Sequence, residues 1–180
     1  MEPLYLTDVF GQLVSRVSAS LAFCNPKIKQ VYYIYGNPLE VADVLANDKE
    51  NKQYDKYPLV ILFTDITNTR GAIGYDSTVP VRIAIVNNTE HNYRAPKRME
   101  VNFKPVLYPI YLELLNQIDS LVIGKHYKVF DTGFGVQDIQ HEQTDRLYWG
   151  AAEDDNKNPF NDRLDAIELK MNLKIYERNC

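Results

Sequence analysis

The sequence predicts an α+β domain built on a mainly antiparallel sheet. Three observations lead there. Hydrophobic residues at helical spacing are concentrated in an N-terminal stretch, a short middle stretch and a stretch past residue 105. Between and after them lie continuous or alternating apolar runs of strand length. These strands follow one another without a regular succession of crossover helices, the order of α+β rather than α/β domains.

Leu6, Val9, Phe10, Leu13, Val14, Val17 and Leu21 recur at helical spacing and predict an amphipathic helix over residues 7–23. Thr7 or Asp8 is placed to cap or charge its start. Asn25-Pro26 ends it, because a residue before proline is pushed out of the α region. "IKQVYYIYG" reads as a strand closed by Gly36. A short helix follows, with Asn37 as N-cap, Pro38 in the first helical position and Glu40 three residues after the cap. The charged run "DKENKQYDKY" is a solvated loop.

"PLVILFTD" is apolar throughout, so it predicts a strand covered on both faces or at the centre of a sheet. "ITNTRGAIGYDST" then leads into Val79, Val81, Ile83 and Ile85, which alternate with Pro80, Arg82 and Ala84. The two strands read as a hairpin with an extended tip. After a polar loop, Val106, Leu107, Ile110, Tyr111, Leu114, Leu115 and Ile118 form one stripe of a helix. Pro105 suits its first turn, while Pro109 removes a backbone donor and predicts a kink. Residues 121–150 read as irregular, with "HYKVFDTGFGV" as a strand ending in a Gly-rich turn, and "AAEDDNKNPFND" is a surface loop. In the last element Ile167, Leu169, Met171, Leu173 and Ile175 alternate with Glu168, Lys170, Asn172 and Lys174, a strand with one core face and one wet face.

A chain of 180 residues suits one domain, taken as residues 1–180. With 45% hydrophobic and 24% charged residues it has the composition of a folded globular protein, which excludes a disordered chain. A net charge of −4 argues against tight duplex binding, though not against loose contact through one basic segment. The 13 tyrosines suit half-buried surfaces and subunit contacts, or simply sheet edges. The first residues carry no basic region and their apolar residues are spaced, so neither a signal peptide nor a membrane span is expected. Cys24 and Cys180 lack metal or redox spacing, as in a reducing compartment, and Cys24 is expected to be small and buried.

The search for chemistry returns little. Asp131-Thr132-Gly133 matches the aspartic-protease triplet, in which two carboxylates share a proton and activate water. The chain holds one such triplet, followed by Phe134 where a small residue is usual, and the plainer reading is a strand end turned by Asp and Gly. His91, His126 and His141 form no close ligand pair, so no metal is expected. No glycine pattern makes a phosphate cradle, so no cofactor is expected. The one dense basic cluster is Arg94, Lys97 and Arg98 beside Tyr93, with Arg70 on the earlier connection. It reads as a nucleic-acid contact with Tyr93 stacking, as a docking site for an acidic neighbour, or as a solvated loop. Residues 66–78 and 87–102 read as two long extensions on adjacent strands. Long loops in a compact domain are usually functional, and extensions that leave one protomer often grip the next.

The order of "LTDVFGQLVSRVSASL", "YPLVILFTD", "VPVRIAIVNNT", "FKPVLYPIYLELLNQI" and "LDAIELKMNLKIY" resembles that of the tail-terminator and tail-completion proteins of tailed bacteriophages, and of the related ring proteins between portal and tail. The Tyr/Asn/Lys-rich composition is similar to that of phages of gut Bacteroidetes, including the crAss-like group. The insert at residues 37–56 and the stretch 121–161 depart from the simplest pattern. The resemblance implies a structural virion protein of the neck or tail, made in the host cytoplasm, and no enzyme. Copies would form a homo-oligomeric ring of about twelve or about six, continuing the DNA channel and binding the portal and other neck or tail proteins. Residues 66–78 and 87–102 would be assembly arms, with Tyr93, Arg94, Lys97, Arg98 and Arg70 meeting a neighbouring subunit or channel DNA. Deleting residues 90–98 is then expected to abolish assembly and leave the monomer folded. The rival readings are an aspartic-protease-like enzyme using Asp131 and a monomeric binding module with a Tyr-rich face.

Overall fold

The expected first helix forms as α1 (Leu6–Cys24) and buries Val9, Phe10, Leu13, Val14, Val17 and Leu21 along one stripe. Its N-cap is Tyr5, in extended conformation, and no side chain caps it, so neither Thr7 nor Asp8 is the cap, while Asp8 places its charge in the first turn. The chain leaves the helix at Asn25, whose N–H still donates to Leu21 O at 2.7 Å. The computed structural model describes residues 5–47, 56–64, 69–70, 76–90, 92–120, 134–149 and 163–177.

Strand β1 (Tyr32–Gly36) runs into helix α2 (Pro38–Asn47), and the predicted cap forms in full. Asn37 Oδ1 accepts from the N–H groups of Leu39 and Glu40, both at 3.0 Å, and Glu40 Oε2 accepts from Asn37 N–H at 2.9 Å. That reciprocal exchange satisfies donors a helix start otherwise leaves open. A Cβ on Gly36 would lie 3.0 Å from Glu40 Oε2 and 3.3 Å from Glu40 Cβ, so a side chain here would crowd this cap.

Strand β2 (Leu59–Phe63) is buried at every position. It pairs parallel with β1 and antiparallel with β4 (Asp76–Asn88), while the two-residue β3 (Thr69–Arg70) adds to β4. β6 (Leu164–Glu177) lies beside β4, and β5 (Phe134–Trp149) closes the far edge. The strand order is β1-β2-β4-β6-β5. The fold is α+β with a mixed, mostly antiparallel sheet. Among the described residues the one parallel pair is β1 with β2, joined through α2, the short helix expected between those two strands.

The region expected to be irregular between residues 121 and 150 thus contains a 16-residue strand, β5. The polar loop expected before the second helix is also largely absent. Residues 87–88 finish β4, and a helical rod begins at α3 (Ala95–Arg98), continues as a π-helical stretch (Met99–Leu107) and ends as α4 (Tyr108–Asp119). The two prolines sit inside this rod. An α-helical bond to the Pro105 carbonyl would come from residue 109, which is proline and has no N–H. Asn25 Nδ2 donates to that carbonyl at 2.9 Å and ties the exit of α1 to the rod.

Two apolar layers result. On one face of the sheet, α1 and the rod pack against Val60, Leu62, Val81, Ile83, Ile85, Ile167, Leu169 and Met171. On the other, Val41 and Leu45 of α2 cover Leu59, Ile61, Phe63, Ala84, Val86, Leu164 and Ala166. That second layer covers only part of its face. Pro80, Arg82, Lys170 and Asn172 remain exposed on it, as the alternation in β4 and β6 predicts.

Candidate functional site

The basic cluster is taken apart by the fold. Arg98 has no exposed surface. It belongs to the buried stripe of the rod, where Arg98, Asn102, Val106, Ile110, Leu114 and Ile118 follow one another every four residues. Its Nη1 donates to Asp165 Oδ1 at 2.9 Å, and its Nε donates to the Tyr93 carbonyl at 2.7 Å. Asn102 Nδ2 reaches the second carboxylate oxygen, Asp165 Oδ2, at 2.7 Å and also Asn88 O at 3.0 Å. Asn87 Nδ2 donates to Asn102 Oδ1 at 3.0 Å. Asn87 and Asp165 face each other across β4 and β6, so the network seals the end of that ladder.

Arg98 therefore cannot serve as the subunit or DNA contact expected of it, because its charge is spent on Asp165 inside the protein. The same geometry changes the status of residues 87–102. Their described part is a strand end, a turn and a helix start folded onto the sheet, and not an arm. A deletion of residues 90–98 would remove the buried guanidinium and unfold this corner.

The neighbouring groups stay at the surface. Tyr93 is half-buried, and Arg94 and Lys97 are exposed. Lys97 Nζ lies 3.5 Å from Glu100 Oε2, a solvent-screened pair worth little. Arg70 is paired with Ser77 in the β3–β4 ladder. Most of the other proposed extension, residues 66–78, lies outside the described residues (66–68 and 71–75), as do Asp131, His91 and His126. Cys24 is exposed, against expectation, and its thiol donates to Ser20 O at 3.1 Å.

A second polar group was not anticipated. β5 presents His141, Gln143 and Asp145 on the face that carries the rod, opposite Met171, Leu169 and Ile167 of β6. Tyr108 donates its hydroxyl proton to Asp145 Oδ2 at 2.5 Å, and the Tyr111 hydroxyl meets His141 Nε2 at 3.2 Å, with the donor set by the imidazole tautomer. Gln143 Nε2 donates to Asp145 Oδ1 at 2.8 Å. The hydrogen bond to Asp145, with some burial, pushes the Tyr108 hydroxyl up to about 12. Burial, then the Asp145 charge, also raises Tyr111. A tyrosine held neutral in this way is a hydrogen-bond donor, not a base or nucleophile. The seam closes the wet margin of the core between α4 and β5. Its members come from a strand whose polarity on both faces hid it from a periodicity reading.

No known protein-family model matches this chain, and no curated protein sequence matches it. Among the described residues, no three of His, Cys, Asp and Glu are placed to hold a metal ion. Among the same residues, no helix is long and apolar enough to cross a membrane.

Proposed function

We propose that this chain is a structural ring protein of a tailed-phage neck or tail end, continuing the DNA channel and joining the portal to the tail. The observation that carries the reading is the element order. An N-terminal helix and a second long helix share one face of a mostly antiparallel sheet, a hairpin of β2 and β4 lies at its centre, and a terminal strand, β6, completes it. That is the arrangement implied by the resemblance to tail-terminator and connector proteins. The mixed charge of Arg82, Lys170 and Glu142 in one cross-strand row supports it further, since a wet face of both signs suits contacts that must slide or reseat.

In this reading the contact role passes from the whole cluster to its surface members, the half-buried Tyr93 and the exposed Arg94 and Lys97. Their position at the turn into the rod fixes them rigidly, because Tyr93 O holds the buried Arg98. The test is charge reversal in place of deletion. Arg94→Glu with Lys97→Glu is expected to leave the circular dichroism spectrum unchanged and to block incorporation into particles in a complementation assay. Normal incorporation of the folded double variant would remove these residues from the assembly contact.

A further inference from the structure

β5 ends the sheet. It is paired along one side with β6, and among the described residues no backbone group pairs with its outer side. An unpaired edge is a template for another strand, and folded proteins usually blunt it with short strands, proline, bulges or charged side chains; β5 carries Asp138, Glu142, Asp145 and Arg146, so a partner strand has to match those charges. β5 is 16 residues long and contains no proline. Its register irregularities fall between Val136 and Asp138 and between Arg146 and Trp149. The ladder from Asp138 to Arg146 is therefore regular, and its outer side is unpaired among the described residues.

The sequence of that stretch selects its partner. A two-fold axis normal to the sheet keeps each face on its own side. Two antiparallel copies of β5 then pair residues of equal parity, and one residue meets itself. An axis at Asp138, Glu142, Asp145 or Arg146 would set like charges directly opposite, which destabilises a pair; an axis at Gln140 would set Asp138 against the copy's Glu142, and axes at Ile139 or His141 would bring no opposite charges together. An axis at Gln143 would set His141 against the copy's Asp145, but Tyr111 and Tyr108 already hold those side chains. An axis at Thr144 places Glu142 opposite the copy's Arg146, and Arg146 opposite the copy's Glu142. Thr144 then meets Thr144, a favourable cross-strand pair.

Glu142, Thr144 and Arg146 all project on the face away from the rod, opposite Lys170, Glu168 and Ala166 of β6. Glu142 and Arg146 are exposed there. Arg146 already holds Glu168 through Nε at 2.8 Å. A guanidinium has five donors, so a second carboxylate can share it.

We propose that β5 pairs antiparallel with β5 of a second copy about a two-fold axis at Thr144, joining two sheets into one. This contact closes on a pair. It is independent of the ring reading, which needs a head-to-tail contact elsewhere on the surface.

The test is disulfide trapping of the full chain in a Cys24→Ser, Cys180→Ser background. Directly opposed Cα atoms in an antiparallel pair lie about 4.5–5.5 Å apart, within the span of a disulfide. Thr144→Cys is expected to give a covalent dimer under mild oxidation, while Lys170→Cys, exposed on the neighbouring strand, stays monomeric. Sedimentation of the chain without added cysteines is expected to show a reversible dimer, weakened about tenfold by Glu142→Arg, which sets two cations opposite each other twice. A folded chain that stays monomeric overturns the proposal. So does equal trapping at Lys170→Cys, or a dimer that Glu142→Arg leaves intact.

Discussion

The guanidinium of Arg98 meets the carboxylate of Asp165 at 2.9 Å, and neither side chain has any exposed surface. The pair joins the start of the helical rod to β6 across 67 residues of chain. Both carboxylate oxygens are satisfied, one by Arg98 and one by Asn102. A buried pair of this kind is costly to break singly and cheap to replace whole, because the penalty comes from the charge left behind.

Arg98→Met is thus expected to destabilise the protein by about 3–5 kcal/mol, leaving Asp165 buried and unpaired. The double variant Arg98→Met, Asp165→Leu should recover most of that loss. Urea unfolding followed by circular dichroism measures both. A double variant as unstable as the single one would mean that the network matters for its shape and not for its charge.

The strands and helices that this network joins were unequally visible in the sequence. α1, the Asn37–Glu40 capping box, the doubly covered β2 and the alternating β6 were legible because their signals are local: period, cap chemistry and unbroken apolarity. β5 was not. Between residues 140 and 146 it reads Gln-His-Glu-Gln-Thr-Asp-Arg, polar on both faces, because one face is wet and the other meets the core margin through hydrogen bonds. The rod's start was missed for a related reason. Arg98 and Asn102 continue the apolar stripe at intervals of four, but a charged or amide residue breaks a pattern counted in hydrophobic residues only. The expected contact cluster failed at Arg98 for the same cause: its partner Asp165 is distant in sequence.

The proline pair gives a sharper test of local reasoning. Asn25→Ala removes the donor to Pro105 O and is expected to cost about 1–2 kcal/mol. Pro109→Ala restores a backbone N–H four residues after Pro105, so in that background the same Asn25→Ala change should cost less than half as much. A double-mutant cycle by chemical denaturation reads the coupling. Strict additivity would show that the carbonyl is satisfied in another way.

Tyr108 carries a pH signature. Its hydroxyl is raised from 10.0 to about 12 in the folded protein. Its contribution to stability is fully present below pH 10, where the unfolded tyrosine is still protonated, and is lost as pH rises through 12. The raised Tyr33, half-buried with its hydroxyl on Thr7 O at 2.9 Å, acts in the same sense. Tyr108→Phe is expected to flatten the fall in stability across that alkaline window. An unchanged slope between the variant and the parent protein would place the Tyr108 hydroxyl in open solvent.

The central claim is that this sheet-and-helix body acts by assembling into a ring. The most direct measurement is electron microscopy of the chain mixed with the products of the genes that flank its own. The account predicts a closed ring of the chain, coaxial with the portal, with Arg94 and Lys97 facing a neighbouring subunit. Particles whose portals join tails with no ring of this chain between or below them would contradict it.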